Sequence, residues 1–238
     1  KNLCRFVPWC EERDAKTPGE VTVPLLERYQ RHLFHSMKQD GKRLSFHTQY
    51  DRLGTVRRFL HWLTRQRVIP MNPAASLGPP RVERRLPKAI LSAFEVEQIL
   101  ATLDVGTPKG LRDRAILEVL YATGVRRHEV AALRIDDIDL ENGRLIVRQG
   151  KGKKDRVLPL SERACAWIEK YLEDARFKIC RGPDDGTLFI SHYGKRMQPE
   201  QMTKIARRAI EAAGIGKPGS CHLFRHTMAT LILEGGAD

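Results

Sequence analysis

Polar and apolar positions in the first eighty residues alternate with the period of an α-helix. Leu3, Phe6, Trp9 and Cys10 fall at that spacing, and so do Leu25, Leu26, Tyr29 and Leu33 within residues 23–35. A longer run, residues 48–67, sets Leu53, Val56, Phe59, Leu60 and Leu63 on one stripe and Arg52, Arg57, Arg58, Arg65 and Arg67 off it. Such an arginine-bearing surface is either a solvated helix face or one that tracks phosphates, and the charge of the region favours the second.

Proline then interrupts the pattern at Pro70, Pro73, Pro79, Pro80 and Pro87. The basic, proline-bounded stretch that follows predicts a linker over 81–92 between a helical domain, 1–80, and a second domain, 93–238. Ser92 and Glu95 form a capping-box signature for the next helix, over about 93–103. Helical spacing returns at 111–122, at a short segment through Leu133, and at 161–175, 200–213 and 224–234. Alternation at 144–147 and 156–160 around a Gly/Lys-rich turn predicts a hairpin, and 187–191 (TLFIS) a third strand. The fold class expected is mainly α with one small antiparallel β-sheet.

Charge narrows the partners. The chain carries 42 Lys and Arg against 29 Asp and Glu, a formal net charge of +13. Residues 1–87 hold 17 basic and 8 acidic side chains, residues 88–238 hold 25 and 21. Such an excess suits a nucleic acid rather than a membrane, since no amphipathic anchor stands out and the apolar run at 115–121 is too short to span a bilayer. The five cysteines are odd in number and show no CxxC or Cys/His ligand spacing, which predicts reduced thiols, a cytoplasmic setting and no metal site. The opening Lys1, already inside a helical pattern, predicts that the sequence starts within a longer protein.

Three short segments carry candidate chemistry. In Thr123-Gly124-Val125-Arg126-Arg127-His128-Glu129, a glycine precedes a helix start at which Arg126 would project; alone, this is only an arginine in a first helical turn. Gly150-Lys151-Gly152 sits at the tip of the predicted hairpin, followed by Lys153, Lys154 and Arg156. Glycines on both sides let that tip approach another surface closely, although a lysine-rich tip is often just solvated. In His222-Leu223-Phe224-Arg225-His226, His222 and Arg225 are three apart and share a helix face. A helix-capping histidine beside a surface arginine would look the same.

Taken in this order, the three segments resemble the tyrosine recombinase (phage integrase) family in its Xer-like bacterial branch. The family pattern is Thr-Gly-x-Arg-x-x-Glu, then Gly-Lys-Gly, then His-x-x-Arg-His. The similarity also takes in the helical segment at 48–67, Asn72-Pro73 and the Arg85-Leu86-Pro87-Lys88 stretch. It implies a helical core-DNA-binding domain joined to a catalytic domain, and site-specific recombination through a 3′-phosphotyrosyl intermediate without a cofactor. Arg126 and Arg225 then correspond to phosphate-clamping arginines, Lys151 to the donor of the leaving-group proton, and His222 to a histidine that supports phosphate and proton transfer. Glu129 would orient Arg126 or its helix. Arg52, Arg57, Arg58, Arg65, Arg127, Lys153, Lys154, Arg156 and His226 are expected to contact DNA.

The resemblance implies double-stranded DNA and further protomers in a tetrameric synapse as partners. All five tyrosines precede His222, so none stands where the family places its nucleophile, and the 238 residues are expected to bind DNA without cleaving it. The classes that compete are a type IB topoisomerase-like enzyme, a non-catalytic DNA-binding protein and a metal-dependent nuclease. The Xer-like first region opposes the first, the ordered Arg126, Lys151, His222, Arg225 set the second, and the lack of a carboxylate cluster the third.

Overall fold

In a computed structural model, residues 2–78, 80, 89–150, 152, 154–180, 182–191, 193–234 and 236 are described. The chain divides into two compact units, Lys1–Arg85 and Leu86–Asp238. Most of the expected linker, residues 81–88, lies outside the described residues, as do Lys151 and Lys153.

The first unit is built on helices α1 (Leu3–Glu11), α2 (Val23–His35) and α3 (Phe46–Arg65). Hydroxyl caps start two of them: Thr22 Oγ1 accepts the Leu25 N–H, and Ser45 Oγ accepts the Thr48 N–H at 3.2 Å. The apolar stripes meet in one core that joins Phe6, Trp9 and Cys10 to Leu26, Tyr29 and Leu33 and to Leu53, Val56, Leu60 and Leu63. The Tyr29 ring takes Phe6 and Trp9 edge-on, with centroids 4.8 and 5.0 Å away. The third helix starts and stops two residues earlier than the pattern predicts. Arg67 falls beyond its end, in the left-handed region at φ 59°, so it is not on the helix face.

The second unit surrounds α5 (Pro108–Thr123), whose Ala115–Leu120 stretch is buried on every side. That burial explains why its sequence lacks a clear polar face. Around it lie α4 (Ala93–Ala101), α6 (Arg127–Ala132), α7 (Glu162–Tyr171), α8 (Phe177–Ile179), α9 (Pro199–Ala212) and α10 (Cys221–Glu234). A π-helical turn over Leu172–Arg176 joins α7 to α8. The charges buried with α5 are paired: Glu118, 1% exposed, accepts from Arg114 and Arg163, each at 2.9 Å.

The predicted hairpin is present as β2 (Arg144–Val147) and β3 (Arg156–Pro159), antiparallel, with Leu145 opposite Leu158. The third strand is not the one expected. It is β1 (Ile138–Asp139), paired antiparallel with β2. Residues 187–191 are buried but make only isolated bridges, Thr187 to Arg134 and Ile190 to Arg196. Side chains satisfy their carbonyls in place of a ladder: Arg176 donates to Thr187 O, Tyr171 Oη to Leu188 O, and Arg112 to Ile190 O. An apolar, β-branched run has the composition of a strand whichever donors it meets, which is why the pattern misleads there.

Candidate active site

The site begins where α5 stops. Gly124 ends that helix in the left-handed region at φ 56°, a conformation that costs a side-chain-bearing residue about 1–2 kcal/mol. The turn delivers Arg126, extended at φ −76°, ψ 146°, to the N-cap of α6. Glu129 holds it there. One carboxylate oxygen accepts the Arg126 backbone N–H at 2.8 Å, and the other accepts from the Arg126 guanidinium at 3.1 Å.

The same carboxylate takes a second arginine. Arg156, the first residue of β3, donates from both terminal nitrogens to the two Glu129 oxygens, at 3.0 and 2.6 Å. Burial works to raise the Glu129 pKa, but Arg156 and the Arg126 donors outweigh it and hold the carboxyl at about 2. Gly150 makes room for this pair, since a Cβ there would lie 2.5 Å from Arg156 Nη1 and 3.3 Å from a Glu129 oxygen. The close approach expected of that glycine is thus to Arg156 and Glu129, and Arg156, expected to contact DNA, turns its fork inward onto Glu129.

Arg225 reaches the site from α10, in contact with the Gly124 carbonyl, to which its Nη1 donates. Burial and the charge of Arg126 pull its pKa below the ordinary guanidinium value, and Glu129 opposes them. Arg126, Arg156, Arg225 and Lys154 line one open cleft of about 540 Å³, together with Gly124 and Met228. Two arginines 99 residues apart in sequence are thus presented to one space, each steadied by an acceptor in the protein.

The other predicted residues that are described lie elsewhere. His222 and His226 are exposed on α10 with ring centroids 6.4 Å apart, and neither lines the cleft. Arg127 points toward α9, donating to Thr203 Oγ1 at 2.9 Å. Lys151 and Lys153 fall outside the described residues. In the first unit, Arg58 and Arg65 are exposed and Arg57 is half-buried. Arg52 is half-buried, its pKa lowered by burial and by Arg5 while Tyr29 opposes. No tyrosine lines the cleft. Tyr171 is fully buried, its pKa pushed up to about 12 by burial, with its hydroxyl donating to Leu188 O at 3.1 Å. Among the described residues, no group of three or more His, Cys, Asp or Glu side chains could hold a metal ion, and no helix is long and apolar enough to cross a membrane.

A model of the phage integrase family matches residues 89–238. Tyrosine recombinase XerC 2 of Ralstonia nicotianae is 48% identical over 237 residues, covering 100% of this chain and 68% of the relative. The chain belongs to the tyrosine recombinase family. Tyrosine recombinase XerD of Pseudomonas putida is 38% identical, covering 100% of this chain and 76% of its own length. Among solved structures, the XerA recombinase covers 100% of the chain at 29% identity and a TM-score of 0.56, with 77% of its own chain matched. The fold is also that of the XerH site-specific recombinase in a post-cleavage complex with palindromic difH substrate, at TM-score 0.75 and 18% identity over 98% of this chain and 66% of that one.

Proposed function

We propose that this chain is the DNA-binding and phosphate-clamping part of a site-specific recombinase, with the cleft between α6, β3 and α10 receiving the scissile phosphodiester. The observation that carries the reading is the pair Arg126 and Arg225 on one cleft wall. Guanidinium groups offer paired N–H donors to non-bridging oxygens, and donors held in place before reaction stabilise the charge that builds at pentavalent phosphorus. Glu129 is a positioning residue: it fixes Arg126 by backbone and side chain and ties Arg156 to the same wall.

In the reaction, a tyrosine hydroxyl gives up its proton as its oxygen bonds to phosphorus, the P–O5′ bond breaks, and the departing 5′-oxygen takes up a proton, so that protons balance. The 3′-phosphotyrosyl link conserves the phosphodiester energy, so the 5′-hydroxyl of a partner strand reverses the step and rejoins DNA. We assign the proton to Lys151 on the β2–β3 hairpin, support of the phosphate to His222, and duplex contacts to Lys153, Lys154, Arg127 and His226. Arg52, Arg57, Arg58 and Arg65 contact the backbone from the first domain, 1–80, joined to 93–238 through 81–92. None of the five tyrosines lines the cleft, and the attacking hydroxyl is assigned to none of them. The working assembly is a tetramer of protomers on paired duplexes in the cytoplasm.

The test neutralises one phosphate at a time. A duplex recovered by selecting random DNA on the chain is scanned with methylphosphonates. One position per half-site should cost the native chain about 10- to 100-fold in affinity, the range expected of hydrogen bonds to a charged group. The same substitution should cost an Arg126→Ala/Arg225→Ala variant little. If both proteins lose equally at every position, the clamp assignment is wrong.

A further inference from the structure

Opposite its core face, α2 carries Arg28, Arg31, His32 and His35, at the i, i+3, i+4, i+7 spacing of one helical stripe. These four line a hollow of about 380 Å³ with Trp9 and Arg13 from the end of α1 and the turn after it. The wall therefore offers guanidinium, imidazole and indole groups and no carboxylate. Arg28 and Arg31 are exposed and make no hydrogen bond or ion pair among the described residues. Arg13 lies over the Trp9 ring, 4.1 Å from its centroid, held by Trp9 O and Glu12. Trp9 is 6% exposed, and its buried Nε1–H has no acceptor among the described residues. Arg28 and Arg31 thus bring two unpaired positive charges to a hollow that holds a third, Arg13, paired with Glu12, and none of the three belongs to the apolar core.

We propose that this α1–α2 hollow is a second phosphate-binding surface, taking backbone phosphates of duplex DNA outside the contacts assigned to α3. From Arg28 to His35 the helix rises about 10 Å, enough to meet more than one phosphate along a strand. None of the arginines assigned to α3 lines the hollow. The inference rests on the recombinase reading only in that the partner is DNA. His32 reports on occupancy: burial and Arg13 hold its pKa below the ordinary value, with Arg52 adding to them and Glu12 opposing. Trp9 and Tyr29 are the neutral rings beside it. An anion in the hollow favours the imidazolium, so the His32 titration moves up on binding.

Two double variants of the 238-residue chain with the same charge change test this. Arg28→Gln/Arg31→Gln should weaken duplex binding about tenfold near physiological salt and make the slope of log K against log salt shallower by about 1 to 2, since each phosphate contact contributes about 0.9. Lys38→Gln/Lys42→Gln, on the exposed turn after α2, should change the slope much less. The native His32 ring and Trp9 indole resonances should shift on adding duplex. Equal slopes for the two variants would overturn the proposal. So would resonances that respond to inorganic phosphate while Arg28→Gln/Arg31→Gln leaves DNA affinity intact, an outcome that marks a small-anion site. Arg57→Gln/Arg58→Gln keeps the two readings apart: if it weakens binding and Arg28→Gln/Arg31→Gln does not, only the second surface fails.

Discussion

Replacing Glu129 by Gln tests whether one carboxylate organises the cleft. Its side chain is 9% exposed and accepts four donors from Arg126 and Arg156. A folded pKa of about 2 against an ordinary 4.5 corresponds to roughly 3 kcal/mol at neutral pH, at 1.36 kcal/mol per pKa unit. The partner guanidiniums are about a third exposed, at 38% and 32%, and solvent screening brings the figure nearer 2 kcal/mol. Gln keeps one acceptor oxygen but turns an NH2 group against guanidinium donors, so Glu129→Gln should lose about that much. For a unit of this size, the loss is a fall in Tm of roughly 4–8 °C.

The sign of the pH dependence is fixed by the direction of the shift. A carboxyl with a depressed folded pKa contributes its full stability above the unfolded value and loses it as pH falls through the folded one. The gap between native and Glu129→Gln proteins should therefore be full at pH 7 and close between about pH 4.5 and 2. Urea unfolding at pH 7, 4 and 3, with Trp9 and Trp62 changed to Phe so that Trp167 alone reports on the second unit, measures it. A gap that is the same at pH 7 and pH 3 would refute the charge-based account, and the absence of any gap would refute the network.

Gly124→Ala places a Cβ 3.1 Å from Met228 Sδ at φ 56°, so it should cost about 1–2 kcal/mol in urea unfolding and weaken DNA binding by disturbing the carbonyl that Arg225 uses. Arg126→Lys keeps charge but not the fork; it should leave the salt slope almost unchanged while erasing most of the methylphosphonate effect at the scissile position. Arg57→Gln/Arg58→Gln should weaken binding on most sequences and flatten the salt slope, measured by titrating random and selected duplexes in parallel.

What was legible in the sequence follows from how local each signal is. The cap of α4, the stripes of α1 to α3 and the β2–β3 hairpin each depend on residues within one or two turns of each other, and each is present in the structure, with only the bounds of α3 displaced by two residues. The TLFIS segment fails because its fate is set by Arg112, Tyr171 and Arg176, distant residues whose side chains take the carbonyls that a neighbouring strand would have used. In the site, Glu129 as a support of Arg126 was implied by the family pattern Thr-Gly-x-Arg-x-x-Glu, and the two are three apart at a helix start. Arg156 as the second partner was not, since 27 residues and a hairpin separate it from Glu129. Gly150 carried the only trace of that contact, and a glycine says merely that something comes close, never what.

The Arg156–Glu129 pair also bears on how the cleft divides its work. Arg156 is held through both terminal nitrogens by one carboxylate, whereas Arg225 has its carbonyl anchor through Nη1 alone and Arg126 a single carboxylate contact from its own fork. The two arginines less tied to the carboxylate are the two that the family pattern marks, and the one held through both terminal nitrogens is the one it does not. Each glycine of the site serves that division: Gly124 aims the chain at Arg126 and exposes the carbonyl for Arg225, and Gly150 leaves the volume that Arg156 fills. Arg126 and Arg225 line the cleft, and Glu129 and the Gly124 carbonyl steady them there without taking all of their donors.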